Sequence, residues 1–192
     1  MRRSRIVRIG TWAAIPETFS TSELVNSFHL ASPKLTDRGL VLADSESTGT
    51  GRWYALRTEC VPASPPENMV EPLAGGRSVE LRGNDYVIRE SRIGDIERIV
   101  HMGTTRHGDS DPGSLQGHSI GRWEDDVLIV ETIFNSGETG TIVPGVPYIG
   151  TRVQERFALA PDRSRLSYSY SIENPDYLTL PVTGSAAWIF RP

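Results

Sequence analysis

The feature that most constrains the fold is a change of hydrophobic period near Arg77, after which apolar and polar residues alternate along much of the chain. The alternation is clearest in Arg165–Glu173, where serines separate Leu166, Tyr168, Tyr170 and Ile172. Because successive side chains of a β-strand point to opposite faces of a sheet, this period of two predicts strands with one buried face. No helical pattern is long enough to join parallel strands, so a mainly antiparallel β protein is expected.

Turn residues divide this region into short strands. The RGND segment after Leu81 supplies Gly83 and Asn84, which tolerate the positive φ of a two-residue hairpin turn. The predicted strands are Arg77–Leu81, Tyr86–Ser91, Ile96–Met102, His118–Glu124, Val127–Phe134, Thr151–Leu159, Arg165–Glu173 and Pro181–Phe190. We predict a single antiparallel, lipocalin-like β barrel of about eight strands, with a two-sheet β sandwich as the alternative.

The chain of 192 residues fits a single domain, 1–192, with two regions of different character. In residues 1–75 prolines interrupt the apolar pattern, and only Ser22–Leu30 suggests a short helix. Aromatic residues in this region, among them Trp12 and Trp53, predict that it packs onto the domain as an irregular wrapping segment. Residues 76–192 are expected to form the antiparallel barrel core.

Charge and cysteine content exclude several classes of function. The net charge is -4, and 20 Lys and Arg are outnumbered by 24 Asp and Glu, so no nucleic-acid partner is expected. The single cysteine, Cys60, cannot form an intrachain disulfide and is interpreted as a small apolar filler. The basic N-terminus lacks the apolar run of a signal peptide, and no segment approaches the ~18 apolar residues of a membrane span. A cytoplasmic protein without a membrane partner is expected.

The most informative segment is the predicted hairpin at His118–Phe134, which turns at two central aspartates. A two-residue turn fixes the strand register and therefore separates two faces. One face, called here the mixed face, carries His118, Ile120, Arg122, Glu124, Val127, Ile129, Glu131 and Ile133. The other carries Ser119, Gly121, Trp123, Leu128, Val130 and Thr132. On the mixed face Glu131 lies diagonally across from His118 and Arg122, within reach of long side chains.

The mixed face is the predicted catalytic site, because charges among aliphatic residues either face water or form a paired cluster in a pocket. The alternative is a solvated salt bridge on the surface. If the face points into the barrel, His118 is the general acid or base, Glu131 orients it and Arg122 stabilises an oxyanion. Such chemistry needs no cofactor, and no phosphate-binding glycine loop precedes a helix, so no cofactor is expected.

Two further groups of residues have side chains suited to binding. The loop GTTRHGDSDPGSLQG contains Arg106, His107, Asp109 and Asp111, which with His101 and His118 could approach a metal. These residues lack a recognised ligand spacing, so no metal is predicted, although long loops are often functional and His107 is expected at the barrel mouth. The other predicted substrate-binding residues are Trp123, Tyr168, Tyr170 and Trp188. They suit a planar ligand, but aromatic residues at strand spacing are more often core.

Segments from about residue 10 to residue 191 resemble a large family of bacterial proteins of unknown function. These segments are GTW, LTDRG, ECVPASPPENMVEP, GHSIGRWEDDVLIVET, ERF and ENPDYLTLPVT. The family carries a segment close to GHSIGRWEGDTLVVDT, whose turn glycine is replaced by Asp125 in this chain. The family's recurrent polar positions match His107, His118, Arg122, Glu124, Glu131, Asn135, Glu155 and Arg156.

The resemblance implies three further expectations. It adds Asn135 to the predicted substrate-binding residues. Met102 replaces an aspartate of a DGR motif, which weakens any metal site on the following loop. The family's secretion signal is missing here, which implies an intracellular role in the biosynthesis or breakdown of a small molecule.

These patterns predict a cofactor-independent isomerase, cyclase or lyase acting on an apolar, ring-containing small molecule, with His118 and Glu131 transferring protons and Arg122 or Tyr168 polarising an oxygen. The alternative is a non-catalytic binding or carrier protein of the same fold, in which the polar residues only orient the ligand. A structural protein with an exposed mixed face is the third possibility. Besides the small hydrophobic molecule, the expected partner is a second copy in a homodimer, joined through a strand edge or an apolar patch.

Overall fold

A computed structural model describes residues 10–14, 33–47, 64–66, 69, 77–90, 96–108, 115–134 and 141–191. The fold in these ranges is mainly β, as the alternating pattern predicts. The strands are β1 (Gly10–Ala14), β2 (Arg77–Arg82), β3 (Asp85–Glu90), β4 (Ile96–Met102), β5 (His118–Glu124), β6 (Val127–Ile133), β7 (Thr141–Val143), β8 (Val146–Pro147), β9 (Arg152–Leu159), β10 (Arg165–Glu173) and β11 (Val182–Arg191). A helix, α1, spans Asp37–Ser47.

Tight turns join the strands into hairpins at the predicted positions. The turn between β2 and β3 contains Gly83, whose φ of 64° suits a residue without a Cβ. The turn between β5 and β6 places Asp125 at a φ of 52°, a conformation that aspartate tolerates better than most residues. The register across this turn pairs Trp123 with Leu128, which confirms the two faces predicted for the hairpin.

Nine strands form one barrel-like sheet in the order β1-β11-β10-β9-β6-β5-β4-β3-β2, and β1 also pairs with β2 to close the circuit. The predicted single barrel is confirmed. Strand directions cannot alternate all the way around a ring of nine, so one neighbouring pair must be parallel. That pair is β4 and β5, with His101 beside Ile120. The connection through residues 103–117 is long enough for the crossover that a parallel pair requires, and this pair departs from the antiparallel arrangement predicted for the barrel.

The inner face of β5 and β6 is not the mixed face. Ser119, Leu128, Val130 and Thr132 are at most 3% exposed, and the core cluster contains both aliphatic residues of this set. Alternation then turns His118, Arg122 and Glu131 outward, which contradicts the expectation that they face into the barrel. The physical reason is that the charges on the mixed face would be costly to bury, although Ile129 on the same face is itself fully buried.

Helix α1 was not predicted, and its start depends on one threonine. The Thr36 hydroxyl accepts a hydrogen bond from the Gly39 N–H at 3.3 Å and donates one to the Asp176 carbonyl at 2.8 Å. The first bond caps the helix, and the second fixes the helix to the segment between β10 and β11. The short helix predicted at 22–30 lies outside the described residues.

The small hairpin β7–β8 lies between the predicted strands Val127–Phe134 and Thr151–Leu159, where no strand was predicted. A Cβ at its turn residue Gly145 would lie 2.6 Å from the Gly39 carbonyl, so α1 packs against this turn only because the residue is glycine. Val143 and Val146 are almost completely buried. Strands of three and two residues are too short to show a period, which explains why the hairpin was missed.

Candidate active site

Imidazole and carboxylate side chains meet on the outer face of the barrel, beside the parallel strand pair. His101 lies on β4, His118 on β5 and Glu131 on β6. His107, on the connection between β4 and β5, packs edge-on against His118 with 5.1 Å between ring centroids. The connection between β4 and β5 therefore brings His107 to the imidazoles of His101 and His118, which the two neighbouring strands already place together.

His107 connects the two residues predicted to act as acid and base. Its Nε2 lies 3.1 Å from Glu131 Oε1, and its Nδ1 lies 2.9 Å from His118 Nδ1. The side chains of His107 and Glu131 are only 12% and 20% exposed. Glu131 thus orients His118 through the imidazole of His107, whereas the sequence predicted a direct contact between Glu131 and His118.

The hydrogen bonds of this chain determine which nitrogens carry protons when both rings are neutral. A carboxylate only accepts, so the His107 Nε2–H donates to Glu131 and the unprotonated His107 Nδ1 accepts from His118. His118 then carries its proton on Nδ1 and its lone pair on Nε2. Among the described residues, no hydrogen bond reaches this Nε2, which makes it available to an incoming molecule.

The surroundings of His118 favour its neutral form. Burial lowers the pKa of His118 below the ordinary 6.5, and the positive charges that His107 and His101 can carry lower it further. The His101 ring stacks on His118 with 5.2 Å between centroids and 25° between planes. At pH 7 the His118 lone pair is therefore free to accept a proton.

A second carboxylate fixes the stacked imidazole. Asp85 Oδ2 lies 3.0 Å from His101 Nδ1, and Asp85 Oδ1 accepts a hydrogen bond from the Met102 N–H at 2.9 Å. The backbone hydrogen bond lowers the pKa of Asp85, and the contact with His101 acts in the same direction. Asp85 is therefore ionised at neutral pH and holds His101 against His118.

Arg122 lies away from this cluster. Its Nη2 is 2.8 Å from Glu124 Oε1, and Arg156 approaches the other Glu124 oxygen at 3.6 Å. The predicted contact with Glu131 does not form, because Glu124 lies two residues along the same strand on the same face. The guanidinium beside Glu131 belongs instead to Arg152, whose Nη1 is 3.6 Å from Glu131 Oε2.

The barrel interior holds a separate buried polar network, which we call the interior network. The Arg98 guanidinium donates to Ser119 Oγ at 2.9 Å, to Thr132 Oγ1 at 2.7 Å and to Glu155 Oε1 at 3.0 Å. The Tyr168 hydroxyl donates to Glu155 Oε1 at 2.8 Å. Arg98 and Glu155 are 2% and 0% exposed, so this ion pair is stable only because hydrogen bonds surround it.

The sequence indicated Glu155 and Arg156 only as recurrent polar positions of the family and did not predict this ion pair. Alternation along β9 places them on opposite faces, and Glu155 is buried while Arg156 is exposed. Arg98 was missed, although in IERIVHM it shares the period of Val100 and Met102, which indicates an inward position. Burial, with the negative charge of Glu155, raises the pKa of Tyr168 well above 10, so its hydroxyl keeps the proton it donates.

The aromatic residues predicted to bind substrate lie on the other side of the sheet from His118. Tyr168 packs against Trp188 and Tyr170 inside the barrel, with 5.1 and 5.9 Å between ring centroids. Trp123 belongs to the same inner face and packs edge-on against Tyr86. Trp188 Nε1 is buried and has no hydrogen-bond partner among the described residues. The predicted site is therefore divided into an outer acid/base cluster and an inner aromatic one.

Three of the predicted site residues lie outside the described ranges, namely Asp109, Asp111 and Asn135. Within the described ranges, no three His, Cys, Asp or Glu side chains form a group that could hold a metal ion. The part of the chain that the structure describes contains no helix long and apolar enough to span a lipid bilayer.

No protein-family model matches the chain, and no curated protein matches it in sequence. The resemblance of residues 118–132 to a bacterial family of unknown function stays a prediction.

Proposed function

We propose that the protein is a cofactor-independent acid/base enzyme of the isomerase, cyclase or lyase type, acting on an apolar, ring-containing small molecule with a carbonyl group. The observation that carries this proposal is the hydrogen-bonded chain from Glu131 through His107 to His118, whose Nε2 has no hydrogen-bond partner among the described residues. The proposal places the reaction on the outer face of the barrel, whereas the sequence predicted an interior pocket.

The first chemical step is removal of a proton from a carbon next to the carbonyl group. His118 Nε2 takes the proton, the C–H electron pair forms a C=C bond, and the carbonyl oxygen becomes an enolate oxygen. The resulting imidazolium donates its Nδ1–H to His107, and the Glu131 carboxylate stabilises the positive charge through the same chain. Return of the proton to another carbon gives an isomer, and departure of a leaving group gives an elimination product.

Proton exchange with solvent tests this proposal without knowledge of the natural substrate. The purified protein is incubated in D2O with a panel of cyclic ketones, and deuterium at the α-carbon is measured by mass spectrometry. Because a positioned base contributes roughly 10²- to 10⁴-fold, His118→Asn should lower the exchange rate at least about 100-fold. Glu131→Gln should lower it less, because His118 keeps its lone pair.

The control is Arg165→Gln, an exposed residue at the start of β10, which should leave the exchange rate unchanged. Melting temperatures of all variants show whether they are folded. A wild-type exchange rate that survives in His118→Asn would overturn the proposal.

A carrier function is the second candidate, and one observation favours it. The buried Trp188 indole N–H lacks a partner among the described residues, and an unpaired buried donor is unfavourable. A ligand with an acceptor atom inside the barrel would satisfy it. Quenching of tryptophan fluorescence by the same ketone panel tests this reading: under it, Trp188→Phe weakens binding while His118→Asn does not.

A further inference from the structure

We propose that Arg152 binds the carbonyl oxygen of the substrate, so that a ketone lies across Ile133 between Arg152 and His118. This inference rests on the proposed acid/base function and adds to it a catalytic residue and an orientation for the substrate. It assigns to Arg152 the role that the sequence suggested for Arg122.

The strand register places the three side chains in one row. Ile133 on β6 pairs with His118 on β5 and with Arg152 on β9. Paired residues of neighbouring strands point to the same side of a sheet, so all three lie on the outer face. Two strand spacings separate His118 from Arg152 by roughly 10 Å between backbones, with an aliphatic side chain between them. A small apolar ring can rest on Ile133 and reach both polar groups.

Arg152 has hydrogen-bonding capacity left for a ligand. Its side chain is 58% exposed, and its approach to Glu131 Oε2 at 3.6 Å is too long for a hydrogen bond. Glu131 Oε1 is already engaged by His107. The carboxylate therefore holds the guanidinium beside the row without occupying its N–H groups, in contrast to Arg122, which donates two hydrogen bonds to Glu124.

His118 and Arg152, at the two ends of the row, suit the charges that develop during enolisation. As His118 Nε2 takes the proton from the α-carbon, negative charge develops on the carbonyl oxygen at the opposite end of the substrate. A guanidinium donates to this oxygen and gains strength as the charge grows, which stabilises the enolate more than the ketone. The substrate class is therefore a neutral apolar ketone with an enolisable C–H, rather than a carboxylate that would bind Arg152 equally before reaction.

Deuterium exchange with cyclic ketones gives the first test. Arg152→Gln should lower the exchange rate about 100-fold, in the range found when one oxyanion donor is removed, and Arg152→Lys should restore part of it. The matched control is Arg156→Gln, on the same strand and the same face, which should change the rate less than about threefold. An Arg152→Gln variant that exchanges at the wild-type rate overturns the inference, and exchange that survives in His118→Asn overturns the proposed function instead.

Binding of substituted phenols gives a second readout, which needs no turnover and which a merely structural role would not change. A phenolate resembles an enolate, and its absorbance reports the ionised fraction of the bound molecule. The wild type should lower the apparent pKa of the bound phenol, and Arg152→Gln should raise it by about one to two units, equivalent to a 10- to 100-fold change. Equal ionisation in the two proteins overturns the inference, even if Arg152→Gln loses exchange activity.

Discussion

At the scale of single residues, the position of a charge in this barrel is decided by whether its hydrogen bonds can be satisfied. Glu155 is completely buried because Arg98 and Tyr168 both donate to it. Glu124 is paired with Arg122 yet stays about half exposed. Buried pairs are costly to break and exposed pairs contribute little, so the same substitution should have a large effect on stability at Glu155 and a small one at Glu124.

Glu155→Gln should destabilise the protein strongly. The substitution removes the charge opposite Arg98 and leaves a buried guanidinium without its counterion, which typically costs about 3–5 kcal/mol. For a chain of this length the melting temperature should fall by roughly 6 to 20 °C, measured by circular dichroism. Glu124→Gln is the matched control and should shift it by no more than about 4 °C. Similar shifts in the two variants would contradict the interpretation.

At the scale of elements, the hairpins could be predicted and the short or isolated elements could not. Turn residues and a period of two are local signals, so β4, β5 and β10 begin and end where the sequence predicts. α1 lacks a clear apolar stripe, since Leu40 and Val41 are exposed, and its position depends on contacts with distant residues. The sequence did contain a start signal, Thr36 followed by Asp37, which reads as a helix cap.

Thr36→Ala tests the cap of α1. Loss of the hydrogen bond from the Gly39 N–H should cost about 1 kcal/mol, and loss of the bond to the Asp176 carbonyl should add to it. Urea unfolding measures the total, and hydrogen exchange should show faster exchange within Asp37–Ser47. Ser45→Ala, whose hydroxyl donates to the Leu42 carbonyl near the end of the helix, is the control and should cost less than Thr36→Ala.

At the scale of the whole molecule, two chemically different polar clusters lie on opposite sides of one sheet. Their separation could not be predicted, because alternation divides a strand into two faces without showing which face the core will cover. The register of β5 and β6 was predicted correctly, yet the orientation was wrong. Only the packing of all nine strands identifies the side with Leu128 and Val130 as the interior.

The acid/base cluster should make stability depend on pH near neutrality. Since the folded pKa of His118 lies below 6.5, the unfolded chain binds a proton more readily between the two values. The contribution of His118 is therefore complete above about pH 6.5 and is lost as the pH falls through its folded pKa. The urea midpoint should decrease from pH 7.5 to pH 5, and this decrease should be smaller in His118→Gln. Identical pH profiles for both proteins would contradict the prediction.

The interior network has a consequence for assembly. Its members come from β4, β5, β6, β9 and β10, which are consecutive around the barrel. If β9 paired with its neighbours in a register shifted by one residue, Glu155 would point to solvent. Arg98 would then remain in an apolar interior without a counterion. Misaligned intermediates would thus be too unstable to accumulate, and the network would act as a check on correct strand alignment while the chain folds.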